Sequence, residues 1–159
     1  MNEPPTAAAN RSYALAPGEG EHLDVVGSTV RVLAGSRESR GGVFLFELTA
    51  PPDNGPPLHT HRDEDELFFL IEGLARFVVD GTEFTLGPGG FAYAARGSVH
   101  TWKAIGPSHA RILILCTPAA GLEHAFRETD ALTRAGQASP HRLTSVFESR
   151  GVPLVGPPL

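Results

Sequence analysis

From His22 onward the chain alternates between short apolar runs and clusters of turn-forming residues. Within most runs the apolar residues recur at every second position, as the inward face of a half-buried strand requires. The pattern predicts strands at Leu23–Val26, Thr29–Ala34, Val43–Ala50, Glu66–Ile71, Ala75–Val79, Thr82–Leu86, Phe91–Ala94, Val99–Ala104 and Ala110–Cys116. Asp80-Gly81 between two of them is a hairpin signal, because a type I′ turn needs positive φ at both central residues. Gly87-Pro88-Gly89-Gly90 marks a second tight turn. Many short strands with Gly/Pro punctuation predict an all-β sandwich or barrel.

After Pro118 the period changes. Leu122, Ala125, Phe126 and Leu132 follow helical spacing. Ser139-Pro140 supplies an N-cap and a first-turn proline, Leu143, Val146 and Phe147 form one apolar stripe, and Gly151 is a stop. The proline-rich tail Val152–Leu159 should be extended. The chain therefore divides into an irregular N-terminal arm (1–20), a barrel (21–118) and a C-terminal helical extension with its tail (119–159). No internal repeat is present, which excludes a duplicated barrel.

Composition narrows the classes. The chain's 159 residues suffice for one domain with its own core. A formal net charge of −5 and the acidic run Asp63–Glu66 speak against nucleic acid. Cys116 is the lone cysteine, so no intrachain disulfide forms. No signal peptide or membrane span is visible, and the expectation is a cytoplasmic protein. Lys103 is the lone lysine and, three residues from His100, lies on the opposite strand face, which disfavours Schiff-base chemistry.

His59 and His61 are one residue apart, and in extended chain both side chains converge on one face. Glu66 heads the apolar run Leu67–Ile71, where an unpaired carboxylate would cost several kcal/mol if buried. His100 opens another strand, in phase with Trp102 and Ala104. Imidazoles joined by a carboxylate suit zinc, iron, copper, nickel or manganese. Two histidines on a polar surface loop are the plainer alternative. Glu64 is a rival ligand if the register slips; otherwise it and Asp65 read as solvated or strand-edge charges. Cys116 reads as a buried, inert thiol. His22, His109, His124 and His141 read as surface residues, and Arg96 as a solvated loop arginine rather than an anion contact.

With Gly55, Gly73, Gly89 and Gly97 around them, these residues resemble the two motifs of the cupin superfamily. His59, His61, Glu66 and Gly73 match the first motif. Gly89, Gly97 and His100 match the second, with Ala95 and Ala104 in place of its proline and asparagine. The lead-in Gly42–Pro57, the stretch Thr117–Glu128 and the closing helix with Gly151-Val-Pro are similar to quercetin 2,3-dioxygenase-like bacterial cupins.

The resemblance implies a cupin β-barrel, a double-stranded β-helix or jelly roll of two antiparallel sheets. It implies one divalent transition metal (iron, manganese, nickel, cobalt, copper or zinc) held by His59, His61, Glu66 and His100. Glu66 would also be the catalytic base of a dioxygenase acting on an enolisable or phenolic small molecule, with dioxygen as co-substrate. A non-redox polyketide cyclase or isomerase would use the same ligands, and a binding module without turnover ranks third. Strand parity nominates Phe44, Phe46, Phe68, Leu70, Phe91, Tyr93, Trp102 and Ala104 as an apolar pocket wall for an aromatic or polyketide-like substrate, with plain barrel core as the alternative. Leu67, Phe69 and Ile71, out of phase with Glu66, would supply the outer face of a homodimer.

Overall fold

The computed structural model describes residues 12–159. Its elements are β1 (Glu21–Val25), β2 (Ser28–Ala34), α1 (Ser36–Ser39), β3 (Phe44–Ala50), β4 (Asp65–Glu72), β5 (Leu74–Val79), β6 (Thr82–Leu86), β7 (Phe91–Ala94), β8 (His100–Ile105), β9 (Ala110–Thr117), α2 (Gly121–Arg134) and α3 (Pro140–Ser149). Each predicted strand is present within two residues of its expected ends. The short helix α1 was not legible in the pattern. Residues 1–11 of the expected arm lie outside the described residues; 12–20 are irregular, and Tyr13 donates its hydroxyl to the Leu33 carbonyl.

All strand pairs are antiparallel. One sheet runs β1-β2-β3-β9-β4-β7 and the other β6-β5-β8. The pattern predicts an all-β sandwich or barrel, and the result is the two-sheet jelly roll that the cupin resemblance implies. Alternation sets the faces: β3 and β9 bury every second residue without a lapse. The two sheets meet through Phe68 of β4 and Phe77 of β5, edge to face with ring centroids 5.3 Å apart. Asp80 and Gly81 take φ of 48° and 78°, forming the predicted turn between β5 and β6.

The C-terminal helices close one end of the barrel. Phe126 of α2 packs edge-on against Phe46 (5.3 Å) and against Phe147 of α3 (6.2 Å). Asp130 accepts the backbone N–H of Asp24 at 2.8 Å, and Glu123 that of Ser36 at 2.7 Å, tying α2 to β1 and α1. Gly121 permits the two helices to meet, since a Cβ there would fall 1.5 Å from the Arg150 carbonyl oxygen. Ser139 caps α3 by accepting the Arg142 N–H, with Pro140 in the first turn as predicted. Among the described residues no helix is long and apolar enough to cross a membrane.

Candidate active site

His59 and His61 sit between β3 and β4 on a stretch that is extended but belongs to no long strand. It is fastened on two sides. His59 exchanges both backbone bonds with His100 (3.0 and 2.9 Å), while Thr60 donates to Pro153 and Val155 donates to Leu58 at 2.8 Å. The tail thus works as one further strand, and the alternation sends both imidazoles inward. Glu66 is the second residue of β4, placed opposite Ala94 of β7 and Cys116 of β9. Gly55 lets the preceding loop run against β8, since a Cβ there would meet the Trp102 carbonyl oxygen at 2.0 Å.

The four side chains converge. His59, His61, Glu66 and His100 are all buried, and each offers one ligand atom within 4.8 Å of the others. Every imidazole has its Nδ1 engaged on the far side: His59 with the Pro57 carbonyl (2.7 Å), His100 with the Ser98 carbonyl (3.1 Å), His61 with Glu64 Oε1 (3.0 Å). A carbonyl can only accept, so Nδ1 of His59 and His100 carries the proton and Nε2 is left to face the centre. Glu66 Oε2 lies 2.9 Å from His100 Nε2 and 3.1 Å from His61 Nε2. Even so, the buried His61 Nε2 has no hydrogen bond of acceptable angle. An orphaned nitrogen, two further imidazoles and a carboxylate around one point fit a divalent transition metal.

Electrostatics separates these groups. Burial dominates at His59 and, with His100 nearby, lowers its pKa to about 3, so it stays neutral as a ligand must. Burial also opposes charge on His61, but the carboxylates of Glu66 and Glu64 outweigh it and raise the pKa to about 9. At Glu66 burial favours the neutral acid, yet His61 and His100 overcome it and hold the carboxyl below its ordinary range. Cys116 is buried and its thiol is pushed well up by burial and by Glu66 and Glu64, so it is no nucleophile at neutral pH.

Beside the centre lies a cavity of about 290 Å³, reached by His59 and Glu66. Phe46, Leu48, Trp102 and Ile114 form its barrel side, and Leu122, Phe126, Leu143, Phe147, Val152 and Leu154 its outer side. Among the described residues, Ser28, Asn54 and Thr144 are its remaining polar side chains, and neither lysine nor arginine faces it.

Residues 46–116 match the family model described as "Cupin domain". The region is framed by the two motifs whose four polar side chains meet here. The chain carries a cupin domain over residues 46–116. It is 28% identical over 91 residues to quercetin 2,3-dioxygenase of Bacillus subtilis (strain 168), covering 57% of this chain and 27% of that enzyme. The match thus spans about a quarter of that relative's length. Among solved structures, KdgF from Halomonas sp. superposes with a TM-score of 0.61 at 17% identity, covering 68% of this cupin and 94% of KdgF. The polyketide cyclase RemF from Streptomyces resistomycificus superposes with 0.60 at 19%, covering 67% and 80%. Both likenesses concern the fold.

Within this cupin the nominated wall residues divide. Phe46 and Trp102 line the cavity. Phe44, Phe68, Leu70 and Ala104 are buried core off its wall. Phe91 and Tyr93 correct the expectation: they are about half exposed, on the outside of the barrel. The cause is register, since Ala92 pairs with Phe68 and Ala94 with Glu66, which puts the methyl side chains of β7 on the inner face.

Glu64 is a second correction. It is 2% exposed rather than solvated, and holds His61 together with two backbone N–H groups of the α2 entrance. Asp65, by contrast, is an edge charge, paired with the exposed Arg96 at 3.1 Å. Lys103 pairs with Asp53 at 3.5 Å, away from the centre, and His22, His109, His124 and His141 are exposed. The outer wall of the cavity was missed altogether. Its one signal is the stripe Leu143–Val146–Phe147, more apolar than a free surface helix needs.

Proposed function

We propose that this chain is a metal-dependent cupin dioxygenase that acts on an enolisable or phenolic small molecule. The observation that carries the reading is the coincidence of two things. Three imidazoles present Nε2 to one carboxylate, and that centre opens into an apolar cavity without a cationic side chain among the described residues. Apart from the metal itself, a carboxylate-rich or phosphorylated substrate would find no counter-charge among the described wall residues, whereas a neutral planar molecule would match the wall.

His59, His61, Glu66 and His100 would hold the metal, whose contribution is to acidify and orient a substrate hydroxyl. Glu66 is kept ionised by its histidine neighbours, the state needed both to ligate and to accept that proton. Phe46 and Trp102 orient the ring, and α2, α3 and the tail exclude water. The deprotonated enolate is electron-rich at carbon, and dioxygen is its natural partner. The sequence match to quercetin 2,3-dioxygenase supports this choice over the alternative, a non-redox cyclase or isomerase with the same ligands.

We also assign a homodimer to the outer face of the large sheet. There Leu67 stands opposite Tyr93 and Leu115, and Phe69 opposite Phe91 and Leu113, forming two apolar rows across three strands. The single buried Cys116 suits a reducing cytoplasm.

The test is oxygen uptake by the metal-loaded protein on flavonols and other phenolic enols. Turnover with oxygen consumption supports the dioxygenase. Turnover of such compounds under strict anaerobiosis overturns it in favour of the cyclase or isomerase.

A further inference from the structure

Among the described residues, Glu64 is the one buried carboxylate beside the centre that the ligand set leaves unused. Its Oε1 accepts from His61 Nδ1 at 3.0 Å and from the Leu122 N–H at 2.9 Å, and its Oε2 accepts from the Ala120 N–H at 3.1 Å. Ala120 occupies the N-cap of α2, where it offers no side-chain acceptor. A carboxylate from 56 residues earlier therefore does the capping. The same helix presents Leu122 and Phe126 to the cavity. One buried side chain thus touches a metal-ligand histidine and the helix that closes the pocket.

We propose that Glu64 is a positioning residue that couples docking of α2 to metal affinity. This rests on the metal-centre reading given above. The chemistry is specific. As an anionic acceptor Glu64 holds the His61 proton on Nδ1, so that Nε2 presents its lone pair to the centre. Those same oxygens bind the first N–H groups of α2, so the helix and the imidazole compete for, and jointly order, one carboxylate. If α2 undocks, His61 loses a fixed partner and a fixed ring plane. By linkage, a metal that orders His61 must in turn favour docked α2. Glu64 acts through His61 and touches no substrate.

The experiment uses the full chain, stripped by a chelator and titrated with zinc(II) against a chromophoric competitor. Glu64→Gln keeps the volume and can still accept from Leu122, but is neutral. Its zinc affinity should fall about 10- to 100-fold, the range for loss of such a partner. In ¹⁵N-labelled zinc-loaded protein, the His61 Nδ1–H resonance should be present in the wild type and shifted or lost in the variant. Hydrogen exchange gives a readout that needs no variant. Zinc should slow exchange of the Ala120 and Leu122 amides in the wild type, and that slowing should vanish in Glu64→Gln. Wild-type-like zinc affinity in Glu64→Gln, or α2 amides indifferent to zinc in the wild type, would overturn the coupling while leaving the metal centre intact. If the wild type binds no zinc and no other divalent transition metal, both readings fall together.

Discussion

Leu154 and His59 form an antiparallel bridge, so the tail after α3 is hydrogen-bonded to the segment that carries two of the four converging side chains. The His59–His61 stretch has too few residues in regular strand to hold its own register; the tail on one side and His100 on the other supply it. Val155→Pro removes the N–H that reaches Leu58 at 2.8 Å. Denaturant unfolding of the metal-free protein should show a loss of about 1–2 kcal/mol, and metal affinity should weaken with it. An unchanged midpoint would mean that the tail does not support the site.

Removing a converging imidazole separates metal binding from folding. His59→Ala or His100→Ala should lose most bound metal by elemental analysis, while the far-ultraviolet circular dichroism of the fold remains. Both histidines lie beside backbone bonds that the substitution leaves in place (His59 with His100, 2.9–3.0 Å). Unchanged metal content in both variants would refute the ligand assignment.

The ion pair of His61 with Glu66 and Glu64 predicts a pH signature in the metal-free protein. The folded pKa of His61, about 9, exceeds the unfolded value of 6.5. Its contribution to stability is therefore complete below 6.5 and disappears as pH rises through 9. Thermal unfolding should show a falling limb between about pH 7 and 9 that His61→Asn flattens. Metal ligation requires the His61 Nε2 proton to leave, so apparent affinity should climb over the same window. A wild-type profile as flat as the variant's would show that no such pair exists.

Phe126 joins α2 and α3 to the barrel, at 7% exposure between Phe44, Phe46 and Phe147. Phe126→Ala should cost about 3–5 kcal/mol, the range for deleting a buried phenyl ring, and should enlarge the cavity mouth. Binding of an apolar fluorescent probe to the cavity should weaken, and protease should cut between α2 and α3 faster than in the wild type. Stability within about 0.5 kcal/mol of wild type, the usual range for surface substitutions, would contradict the packing role.

Charge on the outer sheet face should dissolve the proposed dimer. Phe69 and Phe91 are 45% and 56% exposed and paired across β4 and β7. The double substitution Phe69→Glu, Phe91→Glu places like charges opposite each other, which a buried interface does not tolerate. Sedimentation velocity should shift from a dimer to a monomer with the cavity and centre untouched. A wild type that sediments as a monomer would refute the assignment outright.

Local chemistry made most of the barrel readable. Asp80-Gly81 can satisfy a type I′ turn by itself, and Ser139-Pro140 can start a helix by itself. Phe91 and Tyr93 show where local reading stops. Their parity on β7 is plain from sequence, but which parity faces inward depends on pairing with β4, where Ala94 falls beside Glu66. Glu64 is the sharper case. Its burial needs two partners at once, an imidazole three residues away and a helix start 56 residues away, and only the second is invisible locally.

The sequence by itself determined the strands, their turns and the four polar residues that two short motifs bring together, because each depends on period, turn conformation or ligand type within a few residues. The tertiary structure decided the pocket. Its outer wall is built by α2, α3 and the tail, and His61 beside it is held by a carboxylate, Glu64, that is buried between that imidazole and the distant helix start it caps. Burial and close approach between remote segments are properties of the folded chain, and no stretch of sequence carries them alone.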